Sequence, residues 1–336
     1  MTPHLAIPVS EPTQVGEARR AAARLAGEHG LDETLRGRIA LVVTELGNNL
    51  ARHAQGGRLL LACARDAEGC RFEVLSLDQG PGMVDVNRCL RDGFSTGATP
   101  GTGFGAVRRL SSDFSVHSAP GRGTVILSRV WAPALGAGAP AQRARVVHGA
   151  VCLAAPGETV SGDAWAVRAG DDGVSVIVAD GLGHGPGAAE AADATVAGFL
   201  AAPAGAPAAT LERLHGQLRA TRGAAVAIAA LDVGAGEVVF AGAGNIAGRL
   251  ISGVGDRTLL SQHGTLGLQV RRLQDTRQAW PEHALVVLHS DGIATRWSLA
   301  DTPGLLQCDP AVVAGWILRD HLRGRDDATV VVLKRA

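Results

Sequence analysis

The residues in this chain best suited to chemistry are carboxylates placed where apolar strands end. The stretch "VIVADGLGHGPG", from Val176 to Gly187, drives a run of β-branched and apolar residues into Asp180, then strips the next turn of side chains around His184. The arrangement recurs. Asp291 ends the apolar run "ALVVLHSDG", Asp326 and Asp327 precede "ATVVVL", and Asp163 follows Gly162 at the start of "DAWAV". One Asp-Gly is ordinarily a turn. Acids at four strand mouths suggest a shared site. If the mouths converge, like charges in a partly buried place raise one another's pKa, and a hard divalent cation such as Mg²⁺ or Mn²⁺ relieves the repulsion. Two such ions about 3.5–4 Å apart can clamp a phosphoryl group. Gly181 would let its own carbonyl approach a cation.

A second group of residues has a different character. "LVVTELGNNLARHA" sets Glu45 and Asn49 four apart, on one face of a helix. "LDQGPGM" then ends a strand at Asp78, with Gly80 and Gly82 following. "GFSTGATPGTGFGAVRRL" places Gly101, Gly103 and Gly105 just before a helix. Glycines ahead of a helix expose backbone amides and the positive end of a dipole, which suits phosphate.

The elements that must position these groups fall into two halves, as 336 residues favour. The first is expected to open with the short strand "LAIPV" and a helix with Ser10 as N-cap, Pro12 in its first turn and Gly30 at its end. A second helix from Asp32 carries its core stripe on Leu35, Ile39, Val42, Leu46 and Leu50. The strands "RLLLACARD" and "RFEVLSLDQG" and a closing hairpin turning at "APGRG" complete an α+β sandwich of helices on a sheet. The Ala-, Pro- and Gly-rich segment "WAPALGAGAPAQRARVV" is the natural boundary. The second half alternates many apolar strands with helices near 188–201, 210–221 and 310–322, which predicts a layered sheet flanked by helices.

Composition narrows the classes. Hydrophobic residues at 46% and charged residues at 19% allow a sizeable core, and 32 basic against 32 acidic residues argue against a nucleic-acid binder. Neither a leader-like N-terminus nor an apolar run of about 18 residues is visible, so a cytoplasmic chain without a membrane span is expected. Five cysteines at wide spacing suggest reduced, packed thiols.

In order, "SGDAW", "VADGLGHG", "AGAGNI", "HSDGI" and "RDDATVVVL" resemble the SpoIIE branch of the metal-dependent PPM (type 2C-like) serine/threonine protein phosphatases, especially the small RsbX type, over about 147–334. That resemblance implies a PPM-type β-sandwich flanked by helices and two Mn²⁺ or Mg²⁺ ions. Asp180 would be catalytic and bridge both ions, and Gly181 would offer its carbonyl. Asp163, Asp291 and Asp326 would complete the second ion's shell. Asn245 would organise a loop, Asp327 would orient the chain, and His184 would either donate a proton or contact phosphate, or else serve the loop. The first half resembles the Bergerat (GHKL) ATP-binding fold of RsbT-like anti-sigma-factor serine kinases, over about 5–130. That likeness implies ATP with Mg²⁺ held by Asn49, adenine read by Asp78, and a pocket and lid shaped by Gly80, Gly82, Gly101, Gly103 and Gly105. Glu45 would be the base. Arg108 and Arg109 fit a phosphate-side or partner-facing role or, more simply, a solvated helix face, and Arg52 and His53 read as packing or as charge at a helix C-terminus.

The expected layout is an ATP-binding domain over 1–132, a linker over 133–146 and a phosphatase domain over 147–336. The expected function is dephosphorylation of phosphoserine or phosphothreonine on a STAS-domain antagonist or stressosome-like protein. The first domain would either phosphorylate the same class of partner or only sense nucleotide. A non-catalytic anti-sigma or scaffold-binding module is the reading from another class.

Overall fold

The computed structural model describes residues 3–65, 69–90, 103–134, 145–170 and 173–336. Residues 2–141 and 142–336 form two compact units. No helix among the described residues is long and apolar enough to cross a membrane.

The first unit runs β1 (Leu5–Pro8), α1 (Pro12–Glu28), α2 (Glu33–His53), β2 (Arg58–Arg65), β3 (Gly69–Asp78), α3 (Val86–Cys89), α4 (Gly103–Leu110), β4 (Asp113–Ala119) and β5 (Gly123–Pro133). Its sheet has the order β1-β2-β3-β5-β4, antiparallel throughout. The expected stripe of α2 is what it buries: Ile39, Val42, Leu46 and Leu50 pack with Val15, Ala18 and Ala22 of α1 on Leu59, Leu61, Phe72 and Val74 of the sheet. The expected N-cap of α1 shifts by one residue, from Ser10 to Glu11. The cause is Pro12, which forces the residue before it into extended backbone, and Glu11 has φ −147° and ψ 160°. Ser10 N and Glu11 N both donate to Gln14 Oε1, as a capping box does. The second helix starts where expected, and Asp32 caps it by accepting from Leu35 N at 2.8 Å.

The second unit runs β6 (Val146–Leu153), β7 (Asp163–Ala169), β8 (Gly173–Gly181), α5 (Pro186–Ala201), α6 (Pro207–Gln217), β9 (Ala224–Asp232), β10 (Glu237–Ala243), β11 (Ala247–Ser252), β12 (Gly255–Leu259), β13 (Gly264–Thr265), β14 (Gln269–Val270), β15 (Thr276–Ala279), β16 (Leu285–His289), α7 (Pro310–His321) and β17 (Ala328–Arg335). Two five-stranded antiparallel sheets, β15-β10-β9-β8-β7 and β12-β11-β16-β17-β6, form a sandwich. Successive side chains on a strand face opposite ways. In β8 the pair Val176 and Val178 enters the inter-sheet core with Trp165, Phe240, Val286, Leu288, Val331 and Leu333, while Ile177 and Ala179 pack under α5 and α6 with Phe199, Leu211 and Leu214. Strands buried on both faces read as continuous apolar runs.

The inter-sheet positions switch from apolar to polar at one end. Extending the alternate inward positions carries Val176 and Val178 to Asp180, Trp165 to Asp163, Val286 and Leu288 to Ser290, and Leu333 and Val331 to Thr329 and Asp327. The period of two thus delivers polar groups from four strands to one mouth of the sandwich.

Candidate functional site

At that mouth Asp163 of β7 lies directly across the ladder from Asp180 of β8. The Asp163 side chain is buried. Ser290 Oγ donates to its Oδ2 at 2.6 Å, and Oδ1 is buried without a hydrogen bond. Ser290 Oγ in turn accepts from Thr329 N at 2.9 Å, tying β16 to β17. Asp327 is also buried: Oδ1 accepts from Ala155 N at 2.8 Å, and Oδ2 has no hydrogen bond of good geometry. Asp326 Oδ1 accepts from the Asp327 amide at 3.0 Å. Asn245 Nδ2 donates to Asp291 Oδ2 at 2.5 Å.

These carboxylates act on one another. Burial pushes Asp180 up to about 9, with further contributions from the charges of Asp163, Asp291, Asp326 and Asp327. Burial likewise pushes Asp163 up to about 7, opposed by the Ser290 hydroxyl and assisted by Asp327. Even so, among the described residues no three His, Cys, Asp or Glu side chains are gathered into a closed metal-binding group. The acids are near enough for their charges to act on Asp180.

The glycines of "DGLGHGPG" have several separate reasons. A Cβ on Gly181 would lie 2.0 Å from the carbonyl oxygen of Ala188, so its bare backbone lets the first turn of α5 rest on the strand end beside Asp180. Gly183 and Gly185 have φ of +89° and +75°, the left-handed region that only glycine enters freely. The His184 ring sits on this loop and pairs through Nδ1 with Glu158 Oε1 at 2.7 Å.

In the first unit the Glu45 and Asn49 side chains flank the start of α4. A Cβ on Gly103 would meet Glu45 Oε2 at 3.4 Å and the Asn49 amide at 3.7 Å, and among the described residues the buried Asn49 Nδ2 has no hydrogen-bond partner. Asp78 ends β3 and accepts from Gly80 N at 2.7 Å. The turn that follows is pressed between elements. A Cβ on Gly80 would fall 2.7 Å from His53 O, and one on Gly82, at φ +68°, 2.1 Å from Ala119 O. Gly105 is buried in α4. Gly101 lies outside the described residues. Arg108 and Arg109 are exposed, as a solvated helix face would be, and Arg52 and His53 are exposed in the last turn of α2, which fits charge at a helix C-terminus rather than packing.

Several supporting residues had no role read from the sequence: Ser290 and Ser161 stand inside "HSDGI" and "SGDAW", and Glu158 and Arg38 outside any motif. Ser161 Oγ accepts from Asp163 N at 3.1 Å. The Arg38 guanidinium donates to Leu110 O at 2.6 Å and so caps α4 from α2. His289, pushed down to about 4 by burial, accepts from Trp297 Nε1 at 3.2 Å behind Asp291. The only available signal was period two, which places Ser290 and Thr329 on the same inward rows as the acids.

Comparison with known proteins fits this geometry. Residues 9–129 match the family of histidine kinase-like ATPase domains, and residues 170–336 match the SpoIIE family, described as stage II sporulation protein E. The serine/threonine-protein kinase RsbT of Bacillus subtilis is 32% identical over 114 residues, which cover 34% of this chain and 86% of RsbT. The chain belongs to the RsbT-type histidine kinase-like ATPases and carries a SpoIIE domain as well. A structure from work on the bacterial stressosome, a modular system adapted to control secondary messenger signalling, aligns with TM-score 0.52 and 29% identity. It covers 56% of this chain and 99% of its own. RsbX in complex with magnesium aligns at TM-score 0.47 and 19% identity, over 58% of this chain and 98% of its own.

Proposed function

We propose that residues 147–336 form a divalent-metal-dependent phosphatase for phosphoserine or phosphothreonine on a STAS-domain protein of the stressosome kind. We further propose that residues 1–132 bind ATP with Mg²⁺ and phosphorylate the same class of partner, with 133–146 as the linker. One observation carries the phosphatase reading: five carboxylates from four chain segments share one mouth, where burial and then the charges of the other four push Asp180 up to about 9. A buried anion cluster with orphaned oxygens on Asp163 and Asp327 fits hard cations. Asp180, the Gly181 carbonyl, Asp163, Asp291 and Asp326 would hold Mn²⁺ or Mg²⁺. Bound there, the ions supply Lewis-acid stabilisation of phosphoryl charge and acidify water.

The chain's own residues do the positioning. Ser290 fixes the rotamer of Asp163 so that Oδ1 is left for the mouth, and Asn245 does the same for Asp291. Asp327 straps the 155–162 segment to β17 through the Ala155 amide, which supports the expectation that it orients the chain. His184, held by Glu158, sits on the rim of the glycine loop.

In the first unit the orphaned Asn49 amide beside Gly103 fits a metal-held triphosphate. Glu45, one turn earlier on α2, would take the proton of the acceptor hydroxyl. Asp78 would read the adenine amino group, and Gly80, Gly82, Gly101, Gly103 and Gly105 would shape the pocket and lid.

The test is incubation of the full chain with radioactive ATP and a STAS-domain protein, with and without Mn²⁺. Label that accumulates on the partner without Mn²⁺ and is released as phosphate with it supports both activities. ATP that leaves the partner unlabelled but alters phosphatase rate would reduce the first domain to a nucleotide sensor. No turnover of either kind would leave a binding module.

A further inference from the structure

Arg222 belongs to no motif and does nothing for the core, yet the fold gives its side chain a specific seat. β9 begins at Ala224, paired with Gly181, and the Gly223 carbonyl accepts from Leu182 N at 3.0 Å. Arg222 therefore stands one residue beyond the point where the two strand ends beside Asp180 are pinned. Its guanidinium lies across the glycine loop. A Cβ on Gly187 would fall 2.6 Å from Arg222 Nε and 2.7 Å from Cζ, and one on Gly183 would fall 3.6 Å from Nη1. The absence of side chains at 183 and 187 leaves room for the arginine.

This is an uncompensated position for a cation. Among the described residues Arg222 has no hydrogen bond or ion pair, and it is exposed. It rests on the first turn of α5, which contains no acidic residue and no side-chain cap, so the neighbouring backbone offers positive rather than negative charge. Glu158, from the segment between β6 and β7 that reaches this loop, is engaged by His184 at 2.7 Å. Apolar side chains are also exposed here. Leu182 follows Gly181 directly, and Leu268 lies against Gly223, where a Cβ would meet its Cγ at 3.2 Å.

We propose that Arg222, flanked by Leu182 and Leu268, is the specificity-determining residue of the phosphatase mouth, and that it recognises a carboxylate flanking the phosphorylated residue in an acidic phosphopeptide segment. The proposal rests on the phosphatase reading given above. A guanidinium is the group of choice for a planar carboxylate, and seating it on the rim leaves the phosphoryl group to the acids behind.

The test measures steady-state hydrolysis by the full chain with Mn²⁺ on three substrates. Two are phosphoserine peptides identical except for Glu or Gln two residues from the phosphoserine. The third is p-nitrophenyl phosphate, which has a phosphoryl group and no peptide. The wild type is expected to show a KM about three- to tenfold lower for the Glu peptide, the range of an exposed to partly desolvated ion pair. Arg222→Gln should erase that difference by raising KM for the Glu peptide alone, with kcat, the Gln peptide and p-nitrophenyl phosphate unchanged. Arg222→Lys should restore part of it. Gly187→Ala, which keeps the charge but takes its seat, should raise KM for the Glu peptide in the same way.

Equal loss on all three substrates in Arg222→Gln would overturn the proposal in favour of a phosphoryl contact or a structural role. A wild type with no preference between the peptides, or with turnover of neither, would overturn it outright. Turnover surviving in Asp180→Asn would instead overturn the phosphatase reading beneath it, so the two failures are told apart.

Discussion

Asp180→Asn should make the metal-free protein more stable while removing its activity. Burial and four neighbouring carboxylates raise Asp180 from 3.8 to about 9. An acid whose folded pKa is raised favours the fold when protonated, so its contribution is intact at low pH and is lost as pH rises. Between about pH 4 and pH 9 the native state binds the extra proton and stability falls with pH. One pKa unit is about 1.4 kcal/mol, which puts the ceiling near 6 kcal/mol at pH 8. Asp180 is only partly buried, and water at the mouth screens its charge, so we expect about 2 kcal/mol to be realised. Asparagine keeps the shape and removes the charge. For a domain of this size about 2 kcal/mol corresponds to a rise in Tm of roughly 4–8 °C. Calorimetry in EDTA should show that gain at pH 8 and a gain under about 1 kcal/mol at pH 5. With Mn²⁺ the order should reverse, because the wild type gains about 2.7 kcal/mol at a hundredfold excess over Kd and the variant does not. A variant no more stable than wild type in EDTA at pH 8, or a gain independent of pH, would refute the crowded-carboxylate reasoning.

Four further outcomes follow from the first unit. Burial opposes ionisation of Glu73, yet Arg129 at 2.6 Å and His4 hold it down at about 2. Its contribution is thus present above about pH 4.5 and lost as pH falls towards 2, and Glu73→Gln should cost about 3 kcal/mol in denaturant unfolding at pH 7. Gly82→Ala would force a Cβ to 2.1 Å from Ala119 O at a φ of +68°; calorimetric titration should show ATP affinity reduced more than tenfold, with a lower Tm for this unit. Asn49→Ala should abolish Mg²⁺-dependent ATP binding, whereas Glu45→Ala in the Asp180→Asn background should keep ATP affinity and lose label transfer to a STAS-domain serine or threonine by about 10²–10⁴-fold.

Much of this site was legible because strand-end acids and left-handed glycines leave local marks. Apolar runs named β8, β16 and β17, and the acids at their ends announced the mouth. What the sequence could not show was which atoms hold those acids in place. Ser290 acts across 127 positions on Asp163, and Asn245 across 46 on Asp291, through ladder registers that no local pattern encodes. The small strands β12 to β15 were also unread, since Gly255–Leu259 and Thr276–Ala279 are polar, exposed edges with little alternation. Gly181 was read as an opening for a cation, and its missing Cβ proves to be required by the Ala188 carbonyl of α5. Tertiary packing explains the residue there without reference to chemistry.

The most direct measurement of the central claim is phosphate release from a STAS-domain protein carrying phosphoserine, followed through removal and return of metal. The account predicts no release in EDTA, recovery on adding Mn²⁺ or Mg²⁺ in excess, and none under any condition with Asp180→Asn or Asp291→Asn of retained fold. Release that continues in EDTA, or that survives in Asp180→Asn, would contradict it.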